Sequence, residues 1–469
     1  MNTPETLWRW SAVDIAAAVR SRDISCREAT ASVLARIAQL NPRINALAEV
    51  LAEEALGSAD AADQLVASGA QLGPLHGVPV TIKINVDQAG HATTNGVIPL
   101  KDNIAREDAP VVAHWRHAGA IIIGRSNTAT YSSRWFTDNG LHGRTLNPWD
   151  ADITPGGSSG GAAAAVACGM GALAHGNDIG GSIRYPAYAC GVPGLRPTVG
   201  RVPAYNPSAS AERSITPQLM SVQGAMARSM ADLRLGYHAM ARYDARDPAW
   251  VPAPLELPPP AGPIRVALFK HCPGIPIDPA VSQALDSAAQ WLQQAGYAVE
   301  EAALPDFLEA AALWRTLITD DSRRNIIAGV EHHGDDAMRR SQRNMIEGMA
   351  PTSRDGFLDA LARRQTLARN WSVFLHDYPL VLMPVSWQRP CAQDADIGTL
   401  EQTHALLDAQ SPLLATAMLG MPGLSVPTGM AGGIPVGVQL MAWRFREDLL
   451  LQAGQVIEDA AHFTPFTAR

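Results

Sequence analysis

The spacing of apolar residues changes several times along the chain, and each spacing predicts a different element. Residues 11–70 are rich in alanine and place apolar side chains about every 3.6 residues, which predicts helices within SAVDIAAAVRS and REATASVLARIAQL. Asp23 and Ser25 stand before the second of these helices and are candidate start signals. The first seventy residues are therefore expected to form a helical cap packed over a sheet edge.

Beyond residue 70, short continuous apolar runs predict strands, and longer amphipathic or alanine-rich runs between them predict helices. The predicted strands are VPVTIKINV (78–86), AIIIGRSN (120–127), IRVALFK (264–270), YAVEEA (297–302), LVLMPV (380–385), LSVPTG (424–429) and PVGVQLMAW (435–443). The predicted helices are DAPVVAHWRHAG (108–119), GAAAAVACGMGAL (161–173), a short one opening at Ser182, PAVSQALDSAAQWLQQAG (279–296), 305–320, 355–376 and EDLLLQAGQVIEDAA (447–461). Helices that alternate with buried strands are typical of an α/β protein. The proline-rich stretch 247–263 cannot be regular structure and is expected to be a surface linker rather than a domain boundary.

Charge and composition exclude several classes of function. The net charge of −8 is spread without long blocks of one sign, so neither a nucleic-acid surface nor a polybasic membrane patch is visible. The N-terminal MNTPETLWRW lacks the pattern of a secretion signal, and no apolar run approaches the roughly 18 residues of a membrane span. The expected location is cytoplasmic. Five cysteines without a CxxC pair and 13 histidines without an HExxH motif favour reduced thiols, no metal and no cofactor.

The stretch 154–200 holds the densest candidate chemistry. It contains TPGGSSGG and, after an alanine-rich run, HGNDIGGSIRYPAYACGVPGLRPTVG, so that Ser158 and Ser182 are both flanked by glycine. Glycine allows neighbouring backbone N–H groups to turn toward one point, as an anion site or an oxyanion site requires. A third residue of interest is Lys83, which stands between two isoleucines of a predicted strand and is expected to lie near apolar surface. Taken alone, such a lysine would more often be a surface side chain.

The spacing of Lys83, Ser158 and Ser182 resembles that of the amidase signature family of serine hydrolases. Further stretches agree, namely GVPVTIKINVD, GAIIIGRSN, GRTLNPWD, AMARSMADL and GMPGLSVPTGMAGGIPVGVQL, so the likeness runs from about Gly77 to the C-terminus. The resemblance implies a single large domain over 1–469, with a mixed, mostly β-sheet core and helices on both faces. Within it we expect a helical N-terminal cap (about 1–70), a catalytic core (about 71–245), a variable helical region that shapes the substrate pocket (about 300–400) and C-terminal strands with a last helix (about 410–465).

The resemblance also implies hydrolysis of a carboxamide C–N bond, with release of ammonia or an amine and with ester or carbamate cleavage as further activities. Ser182 would be the nucleophile that forms an acyl-enzyme. Ser158, after a cis peptide bond from Gly157, would relay a proton. Lys83 would be the general base, which requires a neutral amine and therefore a pKa lowered by burial.

The turn before Ser182 is expected to supply the oxyanion site. Its donors would be the backbone N–H groups of Ile179, Gly180, Gly181 and Ser182. Two further residues, Asp178 and Arg184, are expected to form a structural ion pair that holds the turn. The aromatic residues Tyr131, Trp135 and Phe136 would either line the acyl pocket or only anchor their loop. The partner expected is a small-molecule amide, ester or carbamate, without nucleic acid or membrane, and a homodimer is the oligomer expected by frequency.

Three positions depart from the family pattern. Asn177 replaces a frequent Thr, Thr130 stands where many members have an acidic residue, and Tyr185 stands where the glutaminase subunit of tRNA-dependent amidotransferases usually has Gln. Such a glutaminase subunit, working within an amidotransferase complex, is the main competing function, and Tyr185 weakens it.

The glycine-rich segments are compatible with two more functions. Gly156 to Gly160 also fits the GxSxG nucleophile elbow of α/β-hydrolases, which would make Ser158 the nucleophile and require an acid and a histidine downstream. A nucleotide-binding protein is the competing hypothesis outside enzymes, but no Walker pattern supports it.

Overall fold

An eleven-stranded mixed sheet runs through the computed structural model, which describes residues 4–258, 262–463 and 465–466. The strands are β1 (Leu47–Val50), β2 (Pro79–Lys83), β3 (Ile121–Ser126), β4 (Leu173–Asp178), β5 (Gly194–Arg196), β6 (Val222–Ala227), β7 (Arg265–Leu268), β8 (Ala298–Glu301), β9 (Leu380–Pro384), β10 (Gly423–Ala431) and β11 (Ile434–Ala442). Their order in the sheet is β1-β3-β2-β4-β6-β5-β10-β11-β9-β7-β8.

Both strand orientations occur in this sheet. β2 is parallel to its neighbours β3 and β4, and β7 is parallel to β8 and β9. The remaining pairs, including the long β10–β11 hairpin, are antiparallel. The predicted α/β class with one mixed sheet is confirmed. Because parallel neighbours end at the same sheet edge, the carboxyl ends of β2 and β4 bring Lys83 and Asp178 into one region.

Sixteen α-helices of the described residues surround the sheet. They are α1 (Ala12–Ser21), α2 (Cys26–Ile44), α3 (Ala52–Ser68), α4 (Pro110–His117), α5 (Gly160–Ala167), α6 (Arg184–Cys190), α7 (Ile215–Met220), α8 (Met230–Met240), α9 (Pro279–Gln294), α10 (Phe307–Asn325), α11 (Ile327–His333), α12 (Asp336–Ile346), α13 (Arg354–Asp377), α14 (Leu400–Ala409), α15 (Ser411–Met418) and α16 (Glu447–Ala461). Ser25 caps α2 as predicted: its hydroxyl accepts from the Glu28 N–H at 3.0 Å, and the Glu28 carboxylate accepts from the Ser25 N–H at 2.8 Å.

A hydrophobic core lies on each face of the sheet. Strand β9 shows this most directly, because Leu380 and Leu382 belong to one core while Val381 and Met383 belong to the other. The first core packs under helices such as α2, α9 and α16, and the second packs under α10, α13 and α15. Helices therefore cover both faces, as expected. No helix of the described residues is long and apolar enough to cross a bilayer.

Several elements differ from those predicted from the sequence. Strand β4 was not predicted, because LAHGND is short and ends in polar residues, and the helix predicted over 161–173 ends at Ala167. Strands β5 and β6 were also not predicted, and α11 and α12 were not predicted individually, although they lie within the region 300–400 that was expected to be helical. The predicted strand 78–86 ends earlier, at Lys83. The predicted linker 247–263 has no helix or strand in its described part, and residues 259–261 lie outside the described residues.

Candidate active site

Lys83 is the last residue of β2 and is completely buried. Its Nζ lies 2.7 Å from Ser158 Oγ, 3.0 Å from Ser159 Oγ and 2.8 Å from Asn177 Oδ1. None of these three partners carries a charge. Burial lowers the pKa of Lys83 well below its ordinary value of 10.5, and the charge of Asp178 opposes this only in part. The site therefore favours the neutral amine that a general base needs.

Ser158 is held beside Lys83 by a tightly built loop. The Gly157–Ser158 peptide is cis, as predicted. A Cβ on Gly157 would lie 2.5 Å from the backbone nitrogen of Phe136, so only glycine fits there. The Thr137 hydroxyl bonds to the loop on both sides of Ser158: it donates to the Gly156 carbonyl at 2.9 Å and accepts from the Gly160 N–H at 3.0 Å.

The turn that carries Ser182 has a donor on each of its carbonyl oxygens. The five pairs are Arg196 Nη1 to Asp178 O (2.6 Å), Trp314 Nε1 to Ile179 O (2.7 Å), Trp135 Nε1 to Gly180 O (2.9 Å), Tyr185 N to Gly181 O (2.8 Å) and Ser159 N to Ser182 O (3.2 Å). The last pair ties the Ser158 loop to the Ser182 turn. All five carbonyls are therefore fixed in direction.

Fixed carbonyls also fix the N–H groups, because in a trans peptide the two bonds point in opposite directions. The Gly181 N–H donates to Asp178 Oδ1 at 2.9 Å and the Ile183 N–H to Asp178 Oδ2 at 3.2 Å. Within the described part of the chain, the N–H groups of Ile179, Gly180 and Ser182 have no acceptor. This differs from the sequence-based prediction, which included the Gly181 N–H among the oxyanion donors. Asp178 occupies that N–H, and Gly181 supplies the turn with its φ of 104° instead.

Asp178 lies at the end of β4 and joins two buried arginines. Its carboxylate accepts from Arg184 Nε and Nη2, both at 3.0 Å, and from Arg196 Nη1 at 3.1 Å. Burial alone would raise the pKa of Asp178, but the two guanidinium groups outweigh it and hold the pKa well below its ordinary value. The predicted Asp178–Arg184 pair is present, and Arg196 is an additional member that the sequence did not indicate.

The basic side chain that contacts Ser158 belongs to a lysine and not to a histidine. No histidine of the described residues hydrogen-bonds to Ser158 or Ser182. His175, on β4, accepts from the backbone N–H of Lys83 at 3.4 Å and faces Gln223 Oε1 at 2.8 Å. Its burial lowers its pKa to about 4, so it stays neutral. The nucleophile-elbow hypothesis lacks the histidine that it requires.

A cavity of about 110 Å³ opens at Ser182, which is 7% exposed. Its lining is mainly apolar and includes residues from the 132–135 loop, from the Ser182 turn and from helices α10, α12 and α14. Three aromatic residues were expected either to line the acyl pocket or to anchor their loop. Of these, Trp135 lines the cavity and Phe136 is buried in the second core. Tyr131 instead lies against Gly329 of α11.

Several residues of the site were not predicted from the sequence. Trp314 and Arg196 act on the turn from distant parts of the chain, and no local motif marks either of them. Ser159 and Asn177 complete the surroundings of Lys83. The sequence singled out Asn177 in one respect, because this residue departs from the family pattern at the position before Asp178. No set of three His, Cys, Asp or Glu side chains that could hold a metal occurs in the described ranges.

Comparison with known proteins places this geometry in a family. A family model described as Amidase matches residues 28–451. The chain belongs to the amidase signature family. It is 46% identical to the indoleacetamide hydrolase of Bradyrhizobium diazoefficiens over 456 residues, which cover 97% of this chain and 87% of that protein.

Two other proteins are also similar to this chain. A glutamyl-tRNA(Gln) amidotransferase subunit from Alkalilimnicola ehrlichii is 32% identical, over 94% of this chain and 95% of that protein. The structure of a bacterial aryl acylamidase of the amidase signature family superposes with a TM-score of 0.84 at 25% identity, covering 98% of both chains. This amidase is therefore an enzyme that hydrolyses amide C–N bonds, and the amidotransferase protein is the more distant match.

Proposed function

We propose that this amidase hydrolyses an uncharged carboxamide with an aromatic acyl group, of the indoleacetamide type, through an acyl-enzyme on Ser182. The observation that carries the proposal is the placement of Ser182 at a mainly apolar cavity, with its carbonyl accepting from the N–H of Ser159. The residue before Ser159 is Ser158, which is hydrogen-bonded to the buried Lys83, whose pKa is lowered by burial. The products are the carboxylic acid and ammonia.

Activation begins at Lys83, whose three neighbours decide where its lone pair points. The Asn177 amide nitrogen donates to Asn85 Oδ1 at 3.0 Å, which turns Asn177 Oδ1 toward Lys83. An amide oxygen can only accept, so one N–H of the neutral amine is given to Asn177. Ser159 Oγ takes the second N–H. The lone pair then faces the Ser158 hydroxyl and can take its proton.

In the acylation step, Ser182 Oγ forms a bond to the amide carbon while its proton passes to Ser158 Oγ and the Ser158 proton passes to Lys83 Nζ. The carbonyl oxygen becomes an oxyanion. The N–H groups of Ile179, Gly180 and Ser182 receive it, because the turn holds them without internal acceptors. Fixed donors of this kind need no rearrangement as the charge develops.

The intermediate collapses when the C–N bond breaks. The proton on Lys83 returns through Ser158 to the leaving nitrogen, which departs as ammonia, and the acyl group remains on Ser182. Water then adds to the acyl carbon and gives up its proton along the same route. Ser182 leaves as its hydroxyl, and the carboxylic acid is released.

The cavity supports an uncharged aromatic acyl group. Trp135, Trp314 and Ile318 offer flat apolar surface beside Ser182. The Asp321 carboxylate also lines the cavity, and its hydrogen-bond partners are Ser214 and Asn325, without any cation of the described residues. A negatively charged acyl group would be repelled beside Asp321, and Arg134, the cation of the same lining, is already paired with Asp394 and Asp396. Glutamine carries both an ammonium and a carboxylate group, and both would lose hydration in this mainly apolar cavity.

A substrate panel tests the acyl group. Purified enzyme is assayed for ammonia release from indoleacetamide, phenylacetamide, acetamide and glutamine, with Ser182→Ala as the blank. We expect kcat/KM to fall in that order, with glutamine turnover near the blank. Hydrolysis of glutamine as fast as that of indoleacetamide would overturn the proposed substrate class.

Covalent labelling tests the mechanism. A fluorophosphonate should inactivate the enzyme and modify Ser182, as located by peptide mapping. Ser158→Ala keeps the nucleophile and serves as the control, and it should still be labelled, more slowly. A label on Ser158 with Ser182 untouched would show that the roles of the two serines are reversed.

A further inference from the structure

We infer that Trp314 is a positioning residue that aims the Gly180 N–H at the oxyanion. The inference rests on the proposed function and adds to it a residue from outside the glycine-rich motif. Trp314 lies on α10, is 5% exposed, and donates its indole N–H to the Ile179 carbonyl at 2.7 Å. Since the Ile179 carbonyl and the Gly180 N–H belong to the same trans peptide, the direction of one sets the direction of the other.

The indole ring packs directly on the turn. A Cβ on Gly180 would lie 2.4 Å from Trp314 Cζ2 and 3.1 Å from Cε2. Glycine at position 180 is therefore needed for the ring to come close enough for its hydrogen bond. Gly180 and Trp314 thus fit each other across 134 residues of sequence.

A second tryptophan makes the same kind of contact with a different consequence. Trp135 donates its indole N–H to the Gly180 carbonyl at 2.9 Å, which directs the Gly181 N–H. That N–H is already held by Asp178 Oδ1 at 2.9 Å. In the Gly180–Gly181 peptide, both the carbonyl and the N–H are therefore hydrogen-bonded. In the Ile179–Gly180 peptide, only the carbonyl has a partner in the described part of the chain, and that partner is Trp314. Loss of the indole N–H should matter at position 314 and much less at position 135.

Trp314 also connects the substrate pocket to the reaction. Trp314, Ile318 and Ser322 follow at intervals of four along α10 and line one side of the cavity. The acyl group would contact the ring face of Trp314 while its N–H holds the turn. The ring should then contribute to substrate binding and the N–H to the rate of the chemical step.

The test compares two matched substitutions, Trp314→Phe and Trp135→Phe, which remove the same ring area and the same donor. Kinetic constants for indoleacetamide are measured together with the inhibition constant of indoleacetaldehyde, which forms a tetrahedral adduct with the serine. We expect Trp314→Phe to lower kcat at least about 5-fold, the value of one ordinary hydrogen bond, and up to about 100-fold, as for a lost oxyanion donor. Aldehyde affinity, taken relative to KM, should fall by a similar factor. Trp135→Phe also removes apolar surface from the substrate cavity, so KM should rise in both variants, and the larger loss of kcat should be confined to Trp314→Phe.

A shape-preserving variant separates the hydrogen bond from packing. Benzothienylalanine at position 314 replaces the N–H with sulfur and keeps the bicyclic ring, so KM should stay near the wild-type value while kcat and aldehyde affinity fall. Equal losses at positions 314 and 135, or a change confined to KM, would overturn the inference. Failure of the proposed function would look different: the wild-type enzyme itself would not be labelled on Ser182 or would not hydrolyse indoleacetamide.

Discussion

Lys83 and Asp178 lie at the ends of neighbouring strands and are both buried. The pKa of each is lowered, which favours the uncharged form of Lys83 and the ionised form of Asp178. Lys83 is surrounded by two hydroxyls and an amide oxygen, and burial lowers its pKa toward the neutral form. Asp178 is surrounded by Arg184, Arg196 and backbone N–H groups, which keep it ionised in spite of burial. The same desolvation acts on both, so their partners decide the outcome.

This difference matches the roles that we propose for the two groups. A base must be free to accept a proton, and uncharged partners leave the Lys83 lone pair available. A residue that holds the oxyanion turn should keep its charge and its geometry throughout the reaction. The two arginines stabilise the charge and position of Asp178, because they are hydrogen-bonded to its carboxylate and also bond to carbonyls of the surrounding chain. The substitutions below remove Lys83 or Asp178, or give Lys83 a charged neighbour, and so test this difference.

The largest effect is expected from removing the proposed base, Lys83. Lys83→Met should lower kcat for indoleacetamide by about 10² to 10⁴, the usual contribution of general-base catalysis. The residual rate should rise with hydroxide concentration, and circular dichroism should show that the variant is folded. Turnover close to that of the wild type would exclude Lys83 as the base.

Removing the charge of Asp178 should act mainly on stability. Asp178→Asn leaves Arg184 and Arg196 buried without a counter-charge, which should cost about 3–5 kcal/mol of unfolding free energy in urea titrations. The double variant with Arg184→Gln removes one of the two unbalanced charges and should recover part of this loss. If Asp178→Asn lowered the unfolding free energy no more than a surface substitution does, the two buried arginines would not depend on the charge of Asp178.

Placing a carboxylate beside Lys83 should give this lysine an oppositely charged partner, as Asp178 has. Asn177→Asp puts a carboxylate where Asn177 Oδ1 lies 2.8 Å from Nζ, which favours the ammonium form and raises the pKa of Lys83. Activity rises with pH as Lys83 loses its proton, so this limb of the rate profile should move to higher pH by about one unit or more. Asn177→Thr adds no charge and should leave the limb in place. An unchanged limb in Asn177→Asp would show that the limb does not report Lys83.

The smallest effect is the pH dependence of stability. Because the folded state binds Lys83's proton less tightly than the unfolded chain, protons favour unfolding between the lowered pKa and 10.5. The unfolding free energy of the wild type, relative to Lys83→Met, should therefore rise with pH in that window, by at most about 1.4 kcal/mol per pH unit. The contribution of Asp178 is instead complete above its ordinary pKa of 3.8 and is lost as pH falls through its lowered folded value. A flat or falling difference in the first window would mean that Lys83 is protonated in the folded protein.

Much of the fold could be predicted because its signals are local. The strand at 120–127 and the helix at 279–296 depend on apolar spacing within a short stretch of chain, and the Ser25 cap depends on a glutamate three residues later. Strand β4 was not predicted because its local signal is weak: LAHGND has too few apolar residues to indicate a strand. Its place in the sheet comes from β2 and β6, which pair with it from distant parts of the chain on either side.

The sequence by itself determined the family of this protein, because the spacing of Lys83, Ser158 and Ser182 and the glycines around them match the family pattern. It did not determine which N–H groups of the turn are free, nor what surrounds the lysine. Trp314, Arg196 and Asn177 decide those points from other segments. A hydrogen bond depends on distances and angles between groups, and those between distant segments are set only when helices and strands pack. The tertiary structure therefore removed Gly181 from the set of free donors and made Trp314 part of the site.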